Sequence, residues 1–244
     1  MPKVKIERLL QRSKMYGIDG FRELVNILRE YNFEFVDFFS YKKANLPSII
    51  FRHDIDFSLN DALIIASLEE KLDIKATYFF MLTSNTYSAI SLNNKKLITE
   101  IKEKGHTISL HFDPTAYQDI DKGFCLEKKL FEDIFDVEVK IVSLHRPGKF
   151  LENNNKILEG SLHTYQDKFF KEMIYLSDSA GSDIKKKLLE VNSSFPKKTI
   201  QMLTHPIWWT SNFNSPTETL YKWIEEHQSF IISETKKNCK SFKL

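Results

Sequence analysis

Apolar residues recur along this chain in two alternating rhythms. Phe21, Leu24, Val25 and Leu28 fall at helical spacing, whereas the short run from Pro47 to Phe51, enriched in β-branched residues, reads as a buried strand. Ser58 is placed to cap a helix from Leu59 to about Leu72, with Asp61 in the first turn where the macrodipole favours a carboxylate. Residues 76–82 predict the next strand, and a helix over 94–104 stops at Gly105 before a third strand over 106–112. The rhythm continues with a helix over 126–135 and strands over 140–144, near 174–176 and over 199–203. Pro216 then opens an amphipathic C-terminal helix with Leu220, Trp223 and Ile224 on one face.

Strands and helices in alternation predict βα units around a parallel sheet, either closed as a barrel or open and doubly wound. In both, ligands gather at the carboxyl ends of the strands. Neither a repeat nor a Pro, Gly or Ser-rich linker divides the sequence, which predicts one domain over 46–244 preceded by a helical extension over 1–45. The 244 residues, 42% hydrophobic and 28% charged, exclude a disordered or fibrous chain. A net charge of +2 gives no basic field for nucleic acid or an anionic membrane. Cys125 and Cys239 lack metal or redox spacing. The N-terminus is charged without an apolar core segment, and no stretch approaches the roughly 20 apolar residues of a membrane span, so a cytoplasmic protein is expected.

Chemistry concentrates at the predicted strand ends. Arg52-His53-Asp54-Ile55-Asp56 ends the first, His111-Phe112-Asp113 the third and His145-Arg146-Pro147 the fourth; Ser177-Asp178-Ser179 and Thr204-His205-Pro206 end the last two. The sequence carries no GxGxxG, Walker, GxSxG or HExxH motif, which argues against a dinucleotide enzyme, an NTPase, a serine hydrolase and a zincin. Side chains alternate along a strand, so Asp54 and Asp56 share one face while His53 and Ile55 take the other. Two carboxylates facing one pocket call for a cation between them or a shared proton. A divalent metal is expected, zinc first, with cobalt, nickel or iron as alternatives: Zn²⁺ accepts imidazole as well as carboxylate and acidifies water. His205, arriving from the other end of the strand order across a closed mouth, is the candidate general acid.

The order and spacing of FRHDIDFS, GHTISLHFD, SLHRPG, YLSDSAG and MLTHPIWW resemble the polysaccharide deacetylase family, in a divergent branch whose first motif reads Arg-His-Asp-X-Asp. The likeness spans roughly residues 20–225. It implies a distorted (β/α) barrel of about seven strands, one divalent metal, and hydrolysis of an N-acetyl or related acyl group from an amino sugar; with a cytoplasmic protein expected, the anticipated substrate is a glycan precursor, nucleotide-linked or lipid-linked, in surface polysaccharide assembly. Carried over by position, Asp54 resembles the catalytic base, Asp56 the metal-binding aspartate and His111 the first metal histidine. Arg146 resembles the arginine that orients the base, Asp178 the supporting polar residue and His205 the acid. Two departures matter. Ile55 separates the aspartates, so base and ligand could be exchanged between Asp54 and Asp56, and Thr115 stands where a second histidine is usual. His145 is then favoured as third ligand, with Asp113 the alternative; His53 is disfavoured by parity and His106 by lying at the strand's far end. Asp113, Trp208 and Trp209 are candidate substrate contacts, the indoles as a stacking platform or as rim packing. Two rival readings are a non-catalytic carbohydrate-binding barrel that has lost the metal and a glycosidase pairing Asp54 with Asp178. Oligomeric state is not legible.

Overall fold

Strand β2 (Ser48–Ile55) is buried along its whole length and pairs in parallel with three others. A computed structural model describes residues 16–43, 47–153, 158–191, 198–213 and 215–243. In it, β8 (Ile200–Thr204) runs along one edge of β2. The other edge is shared by β1 (Glu34–Val36), beside Ser48 to Ile50, and β3 (Thr77–Phe80), beside Arg52 to Ile55. The sheet continues through β4 (Thr107–Phe112), β5 (Ile141–Leu144) and β6 (Leu162–His163), while β7 (Ile174–Ser177) flanks β8. The order β6-β5-β4-β3-β2-β8-β7, all parallel, makes a distorted (β/α) barrel whose end strands β6 and β7 do not pair among the described residues.

One expectation changes here. Because β8 lies directly beside β2, the residue after it reaches the pocket from the neighbouring strand rather than across a closed mouth. Strands β1 and β6, of three and two residues, are too short to leave a periodic signal in the sequence.

Helices α1 (Gly17–Glu30), α2 (Leu59–Lys71), α3 (Leu92–Glu103) and α4 (Ile120–Phe135) alternate with the strands. Ser58 caps α2 through the Asp61 amide, as its position predicts, and Gly105 after α3 takes φ +89, a conformation that costs glycine little. Helix α4 begins at Ile120, six residues before the apolar pattern suggests, because Asp119 caps it through Lys122 and its first turn is polar. Short helices α5 (Gly148–Asn153), α6 (Asp167–Phe170), α7 (Ile184–Glu190) and α8 (Pro206–Thr210) precede the long α9 (Pro216–Asn238). No helix among the described residues is long and apolar enough to cross a membrane. The first 15 residues of the N-terminal extension lie outside the described residues; its described part supplies α1 and β1.

Parity on β2 divides the core. Ile49, Phe51 and Ile55 pack outward with Phe21, Ile65 and Leu110 against the helices, each fully buried large side chain worth about 1.5–3 kcal/mol. Ile50 points the other way, into a small plug of Val36, Phe38, Phe79, Ile141, Phe169 and Met173. Above that apolar floor, the same inward face carries Arg52 and Asp54.

Candidate metal centre

Arg52 is wholly buried, and its guanidinium grips Asp54 with two hydrogen bonds, Nε to Oδ1 at 3.0 Å and Nη2 to Oδ2 at 2.7 Å. Nη2 also donates to Ser143 Oγ at 2.7 Å, Nη1 donates to Gln201 Oε1 at 3.1 Å, and the Tyr165 ring lies 4.9 Å away. Ser143 Oγ donates in turn to Asp54 Oδ2 at 2.7 Å. Burial alone would raise the Asp54 pKa, but the Arg52 charge against it, helped by His111, holds the carboxylate well below its ordinary range.

Asp56, at the mouth of the pocket, is surrounded by imidazoles. Its Oδ1 lies 3.3 Å from His111 Nε2 and 3.6 Å from His145 Nδ1, and its Oδ2 lies 3.7 Å from His205 Nε2. Strand β4 brings His111 to this point; the ladder between β4 and β5 is extended by the His145 amide donating to Phe112 O at 2.8 Å. Burial opposes protonation of His111, yet Asp54 and Asp56 raise its pKa. His145 goes the other way, lowered by burial and by the His111 charge, which favours the neutral, ligating imidazole. One atom from each of Asp56, His111 and His145 lies within 4.8 Å of the others. Asp56 Oδ1 is buried and makes no hydrogen bond although two imidazole nitrogens are beside it. Two imidazoles and a carboxylate converging on an unsatisfied oxygen fit a divalent metal of the zinc type.

His205 is fixed from behind. Nδ1 lies 2.6 Å from Asp178 Oδ1, and the His205 backbone amide donates to both oxygens of the same carboxylate at 3.0 and 3.1 Å. Trp209 Nε1 donates to Asp178 Oδ2 at 2.7 Å. With Nδ1–H donating to Asp178, Nε2 is the nitrogen presented to Asp56. Burial works against its charge, but Asp178, then Asp56 and Asp54, push the His205 pKa up to about 9.

The pocket thus gathers Asp54, Asp56, His111, His145, Asp178 and His205, and leaves four predicted residues elsewhere. Arg146 is exposed, at φ +48 in the turn after β5, and the guanidinium on Asp54 belongs to Arg52 instead. Parity explains the exchange: residues 52, 54 and 56 share one face of β2. Trp208 and Trp209, 5% and 1% exposed, offer no open face to a substrate; α8 turns both indoles into the core, and Trp209 holds Asp178. Asp113 is committed to a turn, its Oδ1 accepting from the Thr115 amide at 2.8 Å and hydroxyl at 2.6 Å, with Oδ2 4.0 Å behind His145 Nε2. His53 takes the outward face, bonded to Glu69 Oε1 at 2.8 Å and Thr204 Oγ1 at 2.7 Å. His106 Nδ1 accepts from the Ala76 amide at 3.3 Å, far from the pocket end of β4.

Glu127 on α4 escaped the sequence reading. Its Oε1 accepts from Tyr117 at 2.8 Å, its Oε2 is buried without a hydrogen bond, and burial pushes its pKa up to about 7. Nothing in its helical spacing separates it from a solvated glutamate.

No family model matches the sequence, and a search of curated proteins finds no match. Among solved structures, the fold is similar to a chitin deacetylase from the fungal pathogen Colletotrichum lindemuthianum, at 13% identity over 75% of this chain and 83% of that one, TM-score 0.45. It is similar to the catalytic domain of a peptidoglycan N-acetylglucosamine deacetylase from Eubacterium rectale, at 16% identity over 76% and 86%, TM-score 0.44. A third likeness is to a mutant CE4 family pseudoenzyme from Bacillus anthracis with restored enzymatic activity, at 16% identity and TM-score 0.43; 76% of this chain spans 64% of that protein's length.

Proposed function

We propose that this protein is a metal-dependent hydrolase that removes an N-acetyl or related acyl group from an amino sugar. The observation that carries the reading is the convergence of Asp56, His111 and His145 between a carboxylate clamped by Arg52 and an imidazole clamped by Asp178. Asp56, with its unsatisfied oxygen among histidines, takes the role of ligand, and Asp54, engaged by Arg52 and Ser143, that of base. The three ligands suit Zn²⁺, with cobalt, nickel or iron as substitutes.

A cation held by Asp56, His111 and His145 would supply Lewis-acid polarisation of the amide carbonyl and acidify the attacking water. Asp54, held ionised and aimed by Arg52 and Ser143, is the acceptor for the attacking water's proton. Asp54 accepts this proton without moving, since Arg52 fixes both its oxygens. His205, protonated at neutral pH, gives the Nε2 proton to the departing amine, while Asp178 keeps the ring oriented and stabilises its charge. Amide C–N cleavage thereby yields a carboxylic acid and a free amino sugar.

Asp178 cannot serve as the partner carboxylate of a glycosidase. It is fully buried, and both its oxygens are occupied by His205 and Trp209. The test is acetate release from N-acetylglucosamine and its oligomers by protein reconstituted with zinc or cobalt. Metal-dependent release supports the reading; intact, metal-loaded protein that releases no acyl group from any of them favours a sugar-binding barrel.

A further inference from the structure

Helix α9 runs 23 residues, and Thr219 is the one residue on it that is buried among those described. Its apolar side chains fall on two adjoining faces. Trp223, His227 and Phe230 turn toward the body, where the Trp223 ring meets Phe57 edge to face at 5.3 Å and all three line a groove of about 650 Å³. Tyr221, Ile224 and Ile231 turn the other way and stand 65%, 50% and 51% exposed.

The outer face follows a coiled-coil period. Tyr221, Ile224, Gln228, Ile231 and Thr235 succeed one another at alternating steps of three and four residues, the a and d positions of a heptad. Thr235 Oγ1 donates to the Ile231 carbonyl at 2.8 Å, which satisfies the hydroxyl within the helix and leaves the methyl to the row. Because α9 is already folded against the body, pairing it with a second helix costs no nucleation, and a row of about two and a half heptads is enough for a weak dimer.

Charge and polarity select the occupant. Glu218, Glu225, Glu226 and Glu234 on α9 offset Lys222, Lys236 and Lys237, so the helix has no cationic excess for an anionic membrane. The acids gather in its first half, whereas Lys236 and Lys237 at its end are followed by Lys240 and Lys243. Parallel copies set like ends together; antiparallel copies set each acidic half against a basic end. Within the helix, Lys222 pairs with Glu226 at 3.4 Å and Lys237 with Glu234 at 2.5 Å. Glu225 and Lys236 have no ion-pair partner among the described residues and, about three turns apart, flank the outer row on the same edge. An antiparallel pair centred between Gln228 and Ile231 brings Glu225 to the partner subunit's Lys236 on both sides of the two-fold axis. It also layers Ile224 on the partner subunit's Thr235, and it sets Gln228, whose amide both donates and accepts, close to its own copy.

We infer that the outer face of α9 is a self-association surface: two copies of this chain pair antiparallel through Tyr221, Ile224, Gln228, Ile231 and Thr235. This pairing goes beyond the hydrolase reading and does not depend on it.

The test is sedimentation of the full-length protein over about 1–200 μM, with oxidative crosslinking beside it. Wild type passes from monomer to dimer with a Kd on the order of 10 μM. Ile224→Glu combined with Ile231→Glu weakens the dimer at least roughly a hundredfold and leaves the melting temperature of the monomer unchanged, since both side chains already face solvent. With Cys125→Ser and Cys239→Ser in place, a mixture of Ile224→Cys and Thr235→Cys proteins forms a disulfide-linked dimer, and neither protein alone does. Wild type that stays monomeric at the highest concentration, a dimer that survives the double substitution in folded protein, or crosslinking of Ile224→Cys to itself overturns the inference. A monomer that sediments with vesicles of phosphatidylcholine and phosphatidylserine overturns it in favour of a lipid surface.

Discussion

Arg52 and Asp54, two residues apart on β2, form a bidentate ion pair at 3.0 and 2.7 Å with the arginine entirely removed from solvent. Such a pair is costly to desolvate, and here it is completed by Ser143, Gln201 and Tyr165. The network orients the Asp54 carboxylate toward His111 and Asp56 and keeps it ionised.

Removing one partner leaves a buried charge, so Arg52→Ala is expected to lose about 3–5 kcal/mol of stability. Arg52→Lys keeps the charge but not the fork; it is expected to fold and to lose roughly 10- to 100-fold in kcat. Arg146→Ala, on an exposed side chain, is expected to stay within about twofold of wild type. Urea denaturation and steady-state kinetics on the three variants check this, and a larger loss in Arg146→Ala than in Arg52→Lys would return the orienting role to Arg146.

Asp178→Asn removes the charge that fixes the His205 tautomer. We expect kcat to drop by about 10²–10⁴ with the fold retained. Wild-type activity falls as pH rises through about 9, where His205 gives up its proton; in Asp178→Asn that alkaline limb moves to lower pH. A pH profile identical in the two proteins would show that His205 is not the acid.

Glu127 gives a stability effect with a defined sign. Its folded pKa is raised from 4.5 to about 7, so its contribution is fully present below the unfolded value and is lost as pH rises through about 7. Glu127→Gln keeps an acceptor for Tyr117 and cannot ionise. It is expected to match wild type near pH 4.5 and to exceed it by about 1–3 kcal/mol above pH 7.5. Melting curves of both proteins across this range decide it; a constant offset would mean that Glu127 does not titrate there.

Much of this was readable from residue order. Alternation predicts the parallel sheet and its principal strands but leaves barrel and open sheet undivided, the family resemblance implies the barrel, and the period of two correctly separates Asp54 from His53. The same parity puts Arg52 beside Asp54, but an arginine at a strand centre looks like an edge residue until the neighbouring strands bring up Gln201 and Ser143. Trp208 and Trp209 were ambiguous because their orientation depends on the five-residue helix α8, which local periodicity does not register. The place of His205 depended on β8 inserting beside β2, a long-range pairing with no local trace. The setting of Glu127 likewise arises from packing between distant elements.

The central claim is a metal on Asp56, His111 and His145. It is tested most directly by elemental analysis of tag-free protein, as purified and after reconstitution with zinc, for wild type and for Asp56→Ala, His111→Ala and His145→Ala. The account predicts close to one equivalent in wild type and loss in all three folded variants. Wild type that takes up no metal even after reconstitution, or variants that retain it in full, would contradict it.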